Sequence, residues 1–201
     1  MKHLLALVCV LAGACGDDGD IDSDEEARRA YLGLDESIGK SITLGFAGFN
    51  AASSANIEPQ TTAGTAAGAL TVTGQVDQGS SANKGMRLRI GMVDYTDGIV
   101  RIEGDEVVEL SITYDTAPDV SAQPYLQMQL KDIPTGTLDG TLMGTYYMDG
   151  DLAGEVMLNV SFSGRLMDAG GGDVQRVPGS TTVTGTATNP DGGSYEIDLT
   201  L

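Results

Sequence analysis

The stretch that decides the fold runs from residue 136 to residue 166, GTLDGTLMGTYYMDGDLAGEVMLNVSFSGRL. Every second residue gives Leu138, Gly140, Leu142, Gly144, Tyr146 and Met148, then Leu152, Gly154, Val156, Leu158, Val160, Phe162, Gly164 and Leu166. Thr137, Asp139, Thr141, Thr145, Glu155, Asn159, Ser161, Ser163 and Arg165 stand between them. Alternation with one apolar face marks a pair of half-buried antiparallel strands, and Asp149-Gly150-Asp151 supplies the turn. Residues opposite each other across such a pair share a face, so even-numbered positions must meet even-numbered ones. A two-residue loop at Asp149-Gly150 would mix the faces. A loop centred on Gly150 keeps them apart, pairing Tyr146 with Gly154, Gly144 with Val156 and Leu138 with Phe162. Glycines opposite large side chains suit the inner side of a strongly curved sheet.

The same alternation recurs on either side. Downstream, Thr181 to Ala187 and Tyr195 to Leu201 pair across Asn189-Pro190-Asp191-Gly192-Gly193, with Val183 against Leu199 and Gly185 against Ile197. Upstream, strands are expected around Leu70–Val76, Met86–Met92 and Leu126–Leu130. Residues 99–115 read as one long strand bent at Gly104 or as two strands. Residues 53–68, rich in Ala, Ser, Thr and Gly, read as a linker. Before them, Ser23 with Glu26 forms a capping box. Ala27, Ala30, Tyr31, Leu34, Ile38, Ile42, Phe46 and Phe49 then recur at helical spacing, so a helix is expected over 24–52. Its Gly33, Gly39, Gly45 and Gly48 each weaken it by about 1 kcal/mol, but small residues allow close approach to a sheet. The expected fold is mainly β, an antiparallel meander of about eight or nine strands over 69–201. It forms a barrel or strongly curved sheet, with one N-terminal α-helix packed on the concave face. With no Trp, three Phe and seven Tyr, the chain lacks the aromatic girdles of a transmembrane barrel.

Residues 1–14 have the layout of a secretory signal: Lys2, the apolar run Leu4 to Leu11, then Ala12-Gly13-Ala14. The run is far shorter than the roughly 20 residues of a spanning helix. Cys15 follows, and Leu11-Ala12-Gly13-Ala14-Cys15 resembles the lipobox of bacterial lipoproteins, although Ala12 stands where that family usually has Leu. The resemblance implies cleavage before Cys15 and lipidation of its thiol. Ordinary signal peptidase would cut the same bond and leave the thiol free. Gly16 is not the Asp that retains enteric lipoproteins in the inner membrane, so the resemblance implies a cell-envelope protein of the outer membrane. Residues 15–23 then read as anchor and acidic tether, extended by repulsion among Asp17, Asp18, Asp20 and Asp22.

Charge and residue inventory restrict the chemistry. Twenty-nine acids against 11 basic residues give a net charge of -18, which argues against nucleic acid as a partner. His3 and Cys9 leave with the signal, so no mature Ser-His or Cys-His pair and no His- or Cys-built metal site is expected. Gly39-Lys40-Ser41 misses the glycine spacing of a phosphate-binding loop, and Lys40 reads as the i,i+4 partner of Glu36. Acidic pairs at loops (Asp94 with Asp97, Asp149 with Asp151, Asp168 with Asp173, and Asp191 beside Asn189) read as turn chemistry. Arg87, Arg89 and Arg101 form the one local basic cluster, balancing Glu103 and Glu109.

These readings imply no catalytic, cofactor-binding or metal-ligating residue. The leading expectation is a non-enzymatic lipoprotein, its β-domain a structural or interaction module for an envelope protein, held to the membrane through Cys15. The alternative is a carrier of a lipid or small hydrophobic ligand between helix and sheet, its pocket lined by Leu138, Leu142, Tyr146, Val156, Leu158 and Phe162. Seven mature methionines supply flexible apolar side chains for either use. Space inside the sheet distinguishes the two.

Overall fold

Residues 136–166 form two long strands at the centre of one large sheet. The computed structural model describes residues 20–102 and 108–201. Two helices, α1 (Asp24–Leu32) and α2 (Asp35–Ala51), precede β1 (Asn56–Ala63), β2 (Ala67–Val76), β3 (Lys84–Thr96), β4 (Ile99–Ile102) and β5 (Val108–Asp115). Then follow β6 (Tyr125–Lys131), β7 (Thr137–Gly150), β8 (Gly154–Gly170), β9 (Asp173–Arg176), β10 (Thr182–Thr188) and β11 (Ser194–Thr200). Eleven antiparallel strands, not eight or nine, are found among the described residues. The main path is β1-β2-β3-β5-β7-β8-β10-β11. Between β3 and β7 the slot is shared: β6 fills one end, pairing with both, and β5 fills the other. Residues 99–115 are therefore two strands, joined as a hairpin through Val100↔Leu110 and Arg101↔Glu109; Gly104 lies outside the described residues.

Parity holds while register moves. Even-numbered residues of β7 and β8 share the buried face, and Gly140↔Phe162, Gly144↔Leu158, Tyr146↔Val156 and Leu138↔Gly164 are partners. This lies two residues from the expected pairing, and the cause is tertiary. β7 runs on to Gly150, which pairs with Ile112 of β5, and Asp151 exchanges hydrogen bonds with Ser111, so the turn is displaced along the chain. Gly150 is a strand residue with φ 111°, and a Cβ there would lie 2.3 Å from the Ser111 carbonyl oxygen. The final hairpin has the expected register, Val183↔Leu199 and Gly185↔Ile197.

Residues 53–68, expected as linker, contain β1 and the start of β2. One buried apolar side chain, Ile57, is too little to produce a period-two signal. β1 is an edge strand whose register shifts between Ile57 and Gln60, where Pro59 costs no ladder bond.

The helix begins as its capping box dictates, Ser23 Oγ accepting from the Glu26 amide at 3.3 Å. Glu26 reaches back to the amide of Asp22 rather than that of Ser23. The single helix expected over 24–52 is two segments meeting at Gly33-Leu34. There the Leu34 amide bonds to Tyr31 O instead of continuing the i→i−4 ladder, and the Tyr114 hydroxyl donates to the freed Ala30 carbonyl at 2.9 Å. Sheet curvature brings that tyrosine within reach.

The helices lie on the concave face and touch both edges, α1 against β11 and α2 against β1, β2 and β9. Small residues permit the approach: a Cβ on Gly45 would meet Met86 Sδ at 2.8 Å, and one on Gly48 would meet Ile57 at the same distance. Tyr31, Leu34, Ile38, Ile42 and Phe46 complete one continuous core with the inner row of the sheet. Ile21, within the stretch read as tether, is buried in that core, and its carbonyl accepts from Asn189 Nδ2 at 3.0 Å. Signal segment, Cys15 and the tether's first residues lie outside the described region.

Candidate functional site

The six residues expected to line a ligand pocket are core residues. Leu138, Leu142, Tyr146, Val156, Leu158 and Phe162 are at most 4% exposed. Phe162 fills the space above Gly140, where a Cβ would lie 2.4 Å from the ring. Tyr146 meets Tyr114 edge-to-face at 6.3 Å, and its buried hydroxyl has no hydrogen-bond partner among the described residues.

Among the described residues, clefts open at the surface instead. One of about 410 Å³ lies across β6, β7, β8 and β10, walled by outward residues such as Gln127, Asp139, Thr141, Ser161 and Thr184, with Gly140 and Phe162 at its base. A second, about 390 Å³, lies between α2 and β9, and a third, about 270 Å³, between the α1–α2 junction and β4. Leu138, Leu142, Tyr146, Val156 and Leu158 line none of the three.

The second and third clefts share Asp35 and Glu36 in the first turn of α2, and the two least exposed ion pairs among the described residues lie around them. Arg176 of β9 grips the Asp35 carboxylate with both Nη atoms, at 2.8 and 2.7 Å, and Nη2 also donates to the Asp35 carbonyl at 2.9 Å. Tyr31 donates to Asp35 Oδ1 at 3.2 Å. Burial alone would lower the Arg176 pKa, but the Asp35 carboxylate more than offsets this and holds it above the ordinary value. Burial pushes the Tyr31 hydroxyl far up.

One turn on, Lys40 ion-pairs with Asp97 in the β3–β4 turn and donates to Thr65 Oγ1 at 3.1 Å. Its ammonium stands 5.3 Å from the Tyr95 ring centroid, and the Tyr95 hydroxyl donates to the other Asp97 oxygen. Burial raises the Asp97 pKa, yet hydrogen bonds from Lys40, Tyr95 and Thr65 outweigh it and leave the carboxyl below its usual range. Lys40 thus pairs across 57 residues, not with Glu36 as helical spacing had indicated. The Glu36 side chain is exposed and forms no ion pair among the described residues.

Chemically, these pairs fasten the helix to the sheet. Both cations are neutralised by carboxylates, so neither presents free charge to an anion. Sequence reasoning did not join Asp35, Arg176, Tyr31, Tyr95 and Asp97. Asp35 and Arg176 lie 141 positions apart, and no local periodicity links them.

The remaining candidates separate. Arg87 pairs with Asp77, Arg89 bonds the Gln123 carbonyl and lies 4.8 Å from the Tyr125 ring centroid, and Arg101 pairs with Glu109. The basic cluster is therefore three separately partnered residues; Glu103 lies outside the described residues. Of the loop side chains, Asp151 Oδ2 accepts from the Ser111 amide of β5, while Asp168 Oδ1 accepts from Gly170 and Asn189 Oδ1 from Gly193 within their own turns. Among the described residues no group of three or more His, Cys, Asp or Glu could hold a metal ion, and no helix is long and apolar enough to cross a membrane. No protein-family model, curated protein or solved structure matches this chain.

Proposed function

We propose that this chain is a non-enzymatic cell-envelope lipoprotein whose β-domain serves as a structural or interaction module, tethered through an acylated Cys15 at the outer membrane. The observation that carries the reading over a carrier role is the filled concave side. A carrier needs an apolar cavity of roughly several hundred Å³, whereas the helices and the inner rows of β7 and β8 occupy that side together. Burial of Ile21 adds to it. Cys15 stands only six positions before that anchor point, so an acyl chain on Cys15 would hold the domain within roughly 20 Å of the bilayer.

Native mass spectrometry of the full-length protein, expressed in a lipoprotein-processing bacterium, tests the proposal. The expected species begins at Cys15, carries acyl mass there and retains no separable lipid. A free Cys15 thiol would refute the anchor. A stoichiometric, exchangeable lipid on a Cys15→Ser variant would refute the module and restore the carrier.

A further inference from the structure

Strand β4 continues the line of β3 past a turn at Asp97-Gly98, but only one of its edges is paired among the described residues. Its described partner is β5. On the other side, β2 accompanies β3 up to the Ala67↔Thr96 pair and then turns away towards β1. The slot beyond holds no strand among the described residues.

Ser111 fixes which main-chain groups face that slot. Its amide donates to Asp151 Oδ2 at 2.7 Å and its carbonyl accepts from the Asp151 amide at 3.0 Å, so its backbone points away from β4. Directly opposed residues of an antiparallel pair exchange both bonds or neither. Ile99, opposite Ser111, therefore turns its N–H and C=O outward, and Arg101 does the same.

The 270 Å³ cleft runs beside this edge, its far wall built by Leu32 and Gly33 at the helix junction and by Asp35 and Glu36. Ile99 is 66% exposed. Asp35 and Asp97 are already paired with Arg176 and Lys40, which leaves Glu36 as the unmatched charge of the cleft. A second copy of this chain would bring its own -18, which disfavours self-pairing.

We infer that the open edge of β4 receives an extended basic polypeptide segment as an added strand, in the slot that β2 vacates. Ile99 and Arg101 supply the main-chain hydrogen bonds, and Glu36 with the acidic surroundings selects Lys and Arg. The inference rests on the interaction-module reading and names the partner's chemistry.

The test uses the full chain in detergent and three short blocked peptides: alternating Val and Lys, the same peptide N-methylated at alternate amides, and alternating Val and Glu. Binding is read by fluorescence anisotropy, and the site by hydrogen exchange. The Val-Lys peptide is expected to bind at least about tenfold more tightly than the other two, the worth of about one hydrogen bond, and to slow exchange at residues 99–101. Arg101→Pro removes an outward N–H and leaves the main-chain bonds to β5 intact, while its side-chain pair with Glu109 is lost. It also deletes a positive charge, which by itself would favour a basic ligand. A loss of about tenfold in this variant, with an unchanged melting temperature, is therefore attributable to the strand edge. Equal binding of the N-methylated peptide, protection elsewhere on the acidic surface, or dimerisation through β4 would overturn the inference. Acylation of Cys15, read by mass on the same sample, stands or falls independently.

Discussion

Gly33→Ala tests whether the helix is divided by a tyrosine from the sheet. Gly33 has φ −65° and ψ −19°, ordinary helical angles, so alanine carries no backbone strain there. Its Cβ, however, would lie 2.2 Å from the Tyr114 hydroxyl oxygen and 3.0 Å from two ring carbons. Tyr114 is fully buried and held between Ala30 O and Tyr146. Forcing it aside costs about 1–3 kcal/mol in overpacking. Losing its bond to the Ala30 carbonyl leaves two buried polar groups unpaired, about 1–3 kcal/mol more. Alanine's better helix propensity returns about 1 kcal/mol, so the net expectation is a loss of about 1–5 kcal/mol. Urea unfolding followed by far-UV circular dichroism measures it. Tyr114→Phe alone should cost about 1–2 kcal/mol, because the Ala30 carbonyl loses its donor. In the double variant the closest clash is gone, so its loss should fall at least about 1 kcal/mol short of the sum of the two. A neutral or stabilising Gly33→Ala, or strict additivity, would refute the account.

Asp35→Ala leaves Arg176 charged in a site where its side chain is only 14% exposed; a destabilisation of about 3 kcal/mol is expected, with Asp35→Ala/Arg176→Met costing less than the two single losses together. Asp97 titrates in the folded protein below its unfolded value, so its contribution is present above the ordinary carboxylate pKa near 3.9 and lost as pH falls through the folded value. Asp97→Asn should therefore be less stable at neutral pH yet show a shallower loss of denaturant midpoint below about pH 4. Tyr31, Tyr95, Tyr114 and Tyr146 are all raised by burial, so stability present below about pH 10 should be lost above it. Phenolate absorbance from these four should appear only with loss of circular dichroism; earlier titration would contradict their packing. Ile21→Ala should cost about 2–4 kcal/mol and raise hydrogen exchange in α1; no change in either would mean that the N-terminal segment is not part of the core.

Period and parity were readable because they are local. Leu138 to Leu166 alternate whatever surrounds them, so the buried face and the antiparallel, curved sheet followed from residue order, as did the helix start at Ser23. Pairing partners depend on what holds the far ends of the strands. Among the described residues no strand pairs with the loop of the final hairpin, which took the register its sequence implied, whereas β7 is held at Gly150 by β5 and moved by two residues. β1 escaped notice because an edge strand with one buried side chain carries no alternation. The helix divides because a hydroxyl from β5, more than eighty residues away, replaces one of its own hydrogen bonds. Lys40 chose Asp97 over Glu36, and Arg176 found Asp35, because curvature of the sheet brings β9 and the β3–β4 turn to the helix. A side chain's face is set by its neighbours in sequence; its partner is set by distances that exist only after the sheet has closed round the helix.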